Sequence, residues 1–303
     1  MAASYIKASR LLSAWVSALI AALPMLGTPM AADSDACAHL ETPPGARSMG
    51  YVRQVFCVAP TTADISADDG ISSKLYSGKW YDRNPASLSL YSMSGNTLVL
   101  SNGAALMTET RKSSPGALPL LPAAAGFYVE FAERLSDNDP DHFPAVWLMP
   151  QEHNAAQSDH MAGDPAGLEH WMELDVDEGG YNTGHLGTMI SWSGTSPNFK
   201  HDNKAVAPSS TFGMDRTQVH VFGLSYDPAG KLVTWWVDGI SVGSVSTAGI
   251  PTIVNSHHYY LLINNQNHGL NHPYKMYIPY FSAWSSGVVP SPPSGIRAEK
   301  VTH

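Results

Sequence analysis

Trp171-Met172-Glu173-Leu174-Asp175-Val176-Asp177-Glu178-Gly179-Gly180 is the stretch on which the reading of this chain turns. Apolar and acidic residues alternate from Met172 to Val176, the period of a half-buried β-strand. One face of that strand carries Leu174 and Val176 into a core, and the other presents Glu173 and Asp175 together. Strict alternation would set Asp177 beside those two and send Glu178 to the apolar side. A one-residue bulge after Val176 would instead return Glu178 to the acidic face and displace Asp177. Three acids on one face add nothing to a strand's stability, because like charges repel and strands are poor in Asp and Glu. The plain alternative is a solvated acidic edge strand, with or without a calcium ion.

Outward from this stretch, short runs rich in β-branched and aromatic residues alternate with Gly, Pro, Asn and Asp. The runs are 88–93, 97–100, 126–132, 145–149 and 172–176, then 188–192, 219–226, 232–237, 259–264 and 276–284. Tight turns punctuate them, among them Ser94-Gly95-Asn96 and Asp238-Gly239. Many short strands without a sustained helical period predict an all-β sandwich or jelly roll. No internal repeat or second-domain linker is visible. One domain is expected over residues 66–286, after an extended segment at 33–65 and before a short tail at 287–303.

Residues 1–32 set the compartment. Lys7 and Arg10 precede an apolar run from Leu11 to Leu26 that exits through small residues to Ala31-Ala32. This is the pattern of a secretory signal peptide, and Pro24 and Gly27 make it a poor membrane span. The predicted location is therefore periplasmic or extracellular. The whole chain has a net charge of −9. Loss of residues 1–32 removes two basic residues and no acid, leaving 15 basic against 26 acidic, or −11. That sign does not favour nucleic acid or an anionic membrane as a partner. Cys37 and Cys57 are the two cysteines, and in an oxidising compartment they are expected to form one disulfide.

The spacing Glu173-x-Asp175-x-x-Glu178 resembles the catalytic motif of glycoside hydrolase family 16 in its bulged, laminarinase-like form. Pro144 to Pro150 resembles that family's apolar strand before the motif. His220 to Tyr226 and Val233 to Gly239 resemble its paired strands and Asp-Gly turn, and 259–264 and 276–284 its closing strands. The resemblance covers roughly residues 66–286. It implies a concanavalin A-like jelly roll of two curved antiparallel sheets with a concave cleft. It also implies retaining, endo-acting hydrolysis of β-linked polysaccharide, with β-glucan as the default substrate and no cofactor. By position, Glu173 is the nucleophile, Glu178 the acid/base and Asp175 the residue that orients Glu173. Two departures stand out. The strand after the motif, Thr188 to Trp192, lacks a His found in many members, with His185 just upstream as a possible substitute, and Pro279 stands where the last strand usually has Asp.

Retaining chemistry needs one ionised and one protonated carboxyl group about 5–5.5 Å apart, and crowding three acids favours a protonated one. Flat rings complete a sugar site by stacking on pyranose faces. Trp171 and Trp192 are the candidate platforms, with Trp147 behind them; each has a core aromatic as its alternative. Trp235 and Trp236 point to opposite faces of one strand, so at most one lines a cleft. His220 reads as a core or loop-supporting residue. His257, His258, His268 and His272 lack zinc-ligand spacing, and Asp137, Asp139 and Asp141 read as a solvated turn with calcium as the alternative. The chain is expected to be a monomer whose partner is a polysaccharide. Two further readings share the fold: a non-catalytic carbohydrate-binding protein, and a transglycosylase.

Overall fold

The computed structural model describes residues 36–37, 40–68, 73–79, 81–82, 84–110, 116–153, 168–179, 184–195, 200–248, 250, 255–267 and 272–287. The expected leader at 1–32, and the expected tail beyond Gly287, lie outside these residues.

The described chain is almost entirely strand. The strands are β1 (Arg53–Val58), β2 (Ile65–Ser66), β3 (Leu75–Ser77), β4 (Tyr91–Ser94), β5 (Thr97–Ser101), β6 (Ala105–Met107) and β7 (Leu121–Pro122). The longer ones follow: β8 (Phe127–Leu135), β9 (His142–Pro150), β10 (Leu168–Glu178), β11 (Gly187–Thr195) and β12 (Lys200–Val206). The series closes with β13 (His220–Asp227), β14 (Leu232–Val237), β15 (Ile240–Ser246), β16 (His258–Asn267) and β17 (Lys275–Ser285). One sheet runs β15-β14-β13-β8-β17-β5-β4, with β1 also paired to β17, and the other runs β12-β11-β10-β9-β16-β6-β3-β2, with β7 on β16. Apart from the short parallel pair β2–β3, every pairing is antiparallel. This is the expected all-β jelly-roll sandwich.

Alternation along each strand sorts side chains into three packed layers. Between the sheets, Met172, Leu174 and Val176 of β10 meet Phe222 and Leu224 of β13 and Trp235 of β14 in the main core. The outer face of the nine-stranded sheet carries Tyr76, Ala145, Trp147, Met149, Tyr260 and Leu262. The outer face of the eight-stranded sheet carries Tyr128 and Trp284, packed against Ala46 and Tyr51.

That last layer belongs to the segment ahead of the main run of strands. A single helical turn, α1 (Pro44–Ser48), sits there, Tyr51 Oη donates to the Tyr226 carbonyl at 2.8 Å, and Cys37 is disulfide-bonded to Cys57 of β1. Residues 53–58, read as extended lead-in, form a strand paired with β17. The Asp238-Gly239 turn takes φ of 50° and 79°, both left-handed, as the two-residue hairpin between β14 and β15 requires. No helix among the described residues is long and apolar enough to cross a membrane.

Candidate active site

β10 lies between β9 and β11 in the nine-stranded sheet. Against β9 it pairs one to one as far as Leu174 opposite Leu148 and Asp175 opposite Trp147. Asp177 then faces Val146 and Glu178 faces Ala145, so Val176 and Asp177 share one place in the ladder. This is the extra residue that the acidic pattern calls for. Glu178 therefore joins Glu173, Asp175, Trp147 and Ala145 on the outer face, while Val176 and Asp177 both turn inward. The Trp235 indole, from the facing sheet, donates to the Asp175 carbonyl at 2.7 Å beside the irregularity. Gly187 makes room for that indole: a Cβ there would lie 2.1 Å from Trp235 Nε1.

The three acids form one hydrogen-bonded group. Thr188 of β11 stands directly opposite Asp175, and its hydroxyl lies against both Asp175 Oδ2 and Glu178 Oε2, the latter at 2.9 Å. One hydroxyl carries one proton, so it serves one of these carboxyl groups at a time. Asp175 is also hydrogen-bonded to Glu173. Burial, then the charges of Glu173 and Glu178, push Asp175 well above the ordinary carboxylate range. Burial, then the charge of Glu178, raises Glu173 to about 7, and the bond from Asp175 partly opposes that rise. Burial raises Glu178 too, against the bond from Thr188. Asp175 accordingly holds a proton and donates it toward Glu173, and the remaining protons are shared across the group. Along the sheet, Glu173 and Glu178 start roughly 13 Å apart by strand rise alone; Thr188 and Asp175 link them across that interval.

The expected sugar contacts divide. Trp171 and Trp192 are cross-strand partners on the site face, their rings 5.8 Å apart and nearly parallel. His153 stacks on Trp171 at 4.0 Å, so one face of Trp171 is already taken. Trp147 is on the site face beside Asp175 but only 9% exposed, its indole donating to Asn264 Oδ1 at 2.6 Å. Trp147 supports the carboxyl groups from below. His185 needs correction. It lies on the inward side, 1% exposed, with Nδ1 2.8 Å from Asp177 Oδ1 and its ring stacked on Phe222. It follows Asp177 into the core, so it lines no cleft. Neither Trp235, in the main core, nor Trp236, packed on the outer face of the other sheet, lines the site face.

Two site residues carry no signal in the local sequence. Thr188 is found only through its register with Asp175. Tyr81, more than half exposed, has its phenol raised to about 12 by burial and by the charges of Asp82 and Glu173. Away from the site, Asp139, Asp141 and His272 offer ligand atoms within 4.8 Å of one another. The His272 ring already bonds Asp139 at 2.8 Å, and the backbone amides of Asp139 and Asp141 cap the preceding acids in a tight turn. His220 holds the Asp238 turn, Nδ1 to Oδ2 at 2.8 Å.

No protein-family model matches the chain, and no curated protein does. Solved structures do. The similar folds include laminarinases and endo-1,3-β-glucanases. The endo-1,3-β-glucanase of Streptomyces sioyaensis is 19% identical with a TM-score of 0.49, the match covering 77% of this chain and 95% of that one. The laminarinase catalytic domain of Thermotoga maritima is 15% identical with a TM-score of 0.43, over 65% and 80%. A glycoside hydrolase family 16 endo-glucanase from Bacteroides ovatus is 12% identical with a TM-score of 0.44, over 64% and 84%.

Proposed function

We propose that the chain is a secreted, endo-acting glycoside hydrolase of the family 16 type that cleaves β-linked polysaccharide with retention at the anomeric carbon. The observation that carries this reading is the surplus of acid over donors on the site face among the described residues. Asp175 and Glu178 share one threonine hydroxyl, and Asp175 is hydrogen-bonded to Glu173. Such a group can hold both a proton and a negative charge.

In this mechanism Glu178 protonates the glycosidic oxygen while ionised Glu173 attacks the anomeric carbon, and water then releases the glycosyl-enzyme with Glu178 as base. Asp175, protonated and bonded to Glu173, holds the nucleophile's carboxylate in place and keeps its charge localised as the covalent bond forms. Trp192 is the proposed platform for a sugar ring and Tyr81 a rim contact. The disulfide and the basic-apolar leader support export.

The test is release of reducing ends by the purified protein over a panel of β-1,3-, mixed-linked and β-galactan substrates, with the product anomer followed by NMR from the first minute. The expected result is internal cleavage of a β-glucan yielding the β-anomer first. An α-anomer formed first removes the retaining mechanism. Oligosaccharide binding without cleavage of any substrate makes the protein a binding module, and products longer than the starting oligosaccharide make it a transglycosylase.

A further inference from the structure

The bulge in β10 sends one acid into the core in order to bring another out. Regular alternation would place Glu178 inside and Asp177 outside; the observed register does the reverse. The two registers differ in which carboxyl group is buried, and burial of a lone carboxylate is strongly unfavourable in either. The register is therefore decided by what waits inside.

Asp177 is 0% exposed, yet both its oxygens are bonded. Arg216 Nη2 donates to Oδ2 at 2.8 Å, and His185 Nδ1 lies 2.8 Å from Oδ1. Burial would raise this carboxyl group, but the charge of Arg216 and the bond to His185 outweigh it and hold Asp177 below the usual carboxylate range. The partners arrive from separate loops and are themselves fixed. The Arg216 carbonyl accepts from the Leu135 amide at 2.7 Å, its guanidinium lies 4.6 Å over the Phe222 ring, and the same Nη2 also bonds Glu133 of β8. The His185 amide donates to Thr211 Oγ1 at 3.0 Å. The socket is thus built for an acid at the end of a short side chain opposite Val146.

We infer that Arg216 and His185 are positioning residues: by binding Asp177 inside the sandwich they select the bulged register and so place Glu178 on the site face. They touch no substrate. This rests on the catalytic reading of Glu178 for its effect on rate, but not for its effect on geometry.

Two readouts separate these. Glu178→Cys gives a thiol whose reaction with a small maleimide reports which face residue 178 occupies, whether or not the protein is an enzyme. Introducing Arg216→Met into that variant leaves Asp177 without its cation, and labelling is expected to slow at least tenfold in folded protein. In the otherwise native chain, Arg216→Met is expected to lower kcat at least 100-fold with KM within threefold. The double substitution Asp177→Leu with Arg216→Met puts an apolar side chain inward and no longer needs the socket. Assayed at pH 6, where Glu133 keeps its own proton, it is expected to restore kcat and the fast labelling to within threefold of the parent proteins. Folded Arg216→Met protein with unchanged labelling overturns the inference, as does a folded double variant with slow labelling. Should Arg216→Met alone not fold, the double variant decides on the same labelling criterion. If the native chain cleaves nothing, the labelling pair still decides whether the register depends on Arg216, while the proposed activity falls.

Discussion

The two outer faces of the sandwich each bury a carboxyl group raised to about 7, Glu173 on one and Glu130 on the other. Their surroundings differ in one respect. Glu130 is alone among donors: the Tyr128 hydroxyl reaches Oε2 at 3.2 Å, and those of Tyr280 and Ser282 reach Oε1 at 3.2 and 3.4 Å. Glu173 belongs to a group with more acids than donors among the described residues. A saturated carboxyl group is finished as structure. An undersupplied set must trade protons among its members, and acid–base chemistry requires that capacity. A raised carboxyl group by itself therefore marks burial, and the ratio of acids to donors separates the two faces.

The sharpest way to break this comparison is to remove the charge from each face in turn. Glu173→Gln and Glu178→Gln are each expected to lower kcat by about 10³-fold or more, with near-UV circular dichroism unchanged. Glu130→Gln should leave kcat within twofold. Equal losses on the two faces would end the distinction. A smaller effect is expected from Thr188→Val, which removes the shared donor: kcat should fall about 10- to 100-fold. Because the Thr188 bond lowers Glu178, its loss raises that acid further, and the high-pH limb of kcat/KM should move to higher pH. A downward move would mean that Glu178 is not the acid. The smallest effect is on stability at the other face. The unfolded Glu130 ionises near 4.5 while the folded one holds its proton to about 7, so the folded state loses stability from this group as pH rises between those values. Glu130→Gln should therefore raise the unfolding midpoint at pH 8 by several degrees and leave it unchanged at pH 4. Calorimetry at the two pH values checks the sign.

The central strands were legible in the sequence because most of their inward positions are apolar. Every predicted run from 97–100 to 276–284 overlaps a strand, and only the first half of 88–93 is a turn of 3-10 helix instead. The strands left unread are edges or short segments. β12, Lys-His-Asp-Asn-Lys-Ala-Val, and β15, Ile-Ser-Val-Gly-Ser-Val-Ser, carry polar residues and little apolar period, as sheet edges commonly do. In the site, the acidic spacing identified the bulge. Thr188 and the true place of His185 depend on register between strands and on which partners the core holds for Asp177. Arg216 lies 39 residues from Asp177 in sequence, and nothing local announces the pairing. Trp171 stands on the site face, and the histidine stacked on its ring, His153, comes from another element.

The order in which the chain is made has a consequence for how it can fold. β16 and β17 are the last strands among the described residues, yet each lies in the middle of its sheet, β16 between β9 and β6 and β17 between β8 and β5. β1, near the other end, pairs with β17 across more than 200 residues of chain, Arg53 opposite Ser285. The nine-stranded sheet cannot be completed before residues 258–267 are made, nor the eight-stranded sheet before residues 275–285, and contacts of such long range make the closing step slow. A chain still held on the ribosome keeps both sheets open at their centres until these two strands have emerged, so the sandwich shuts late.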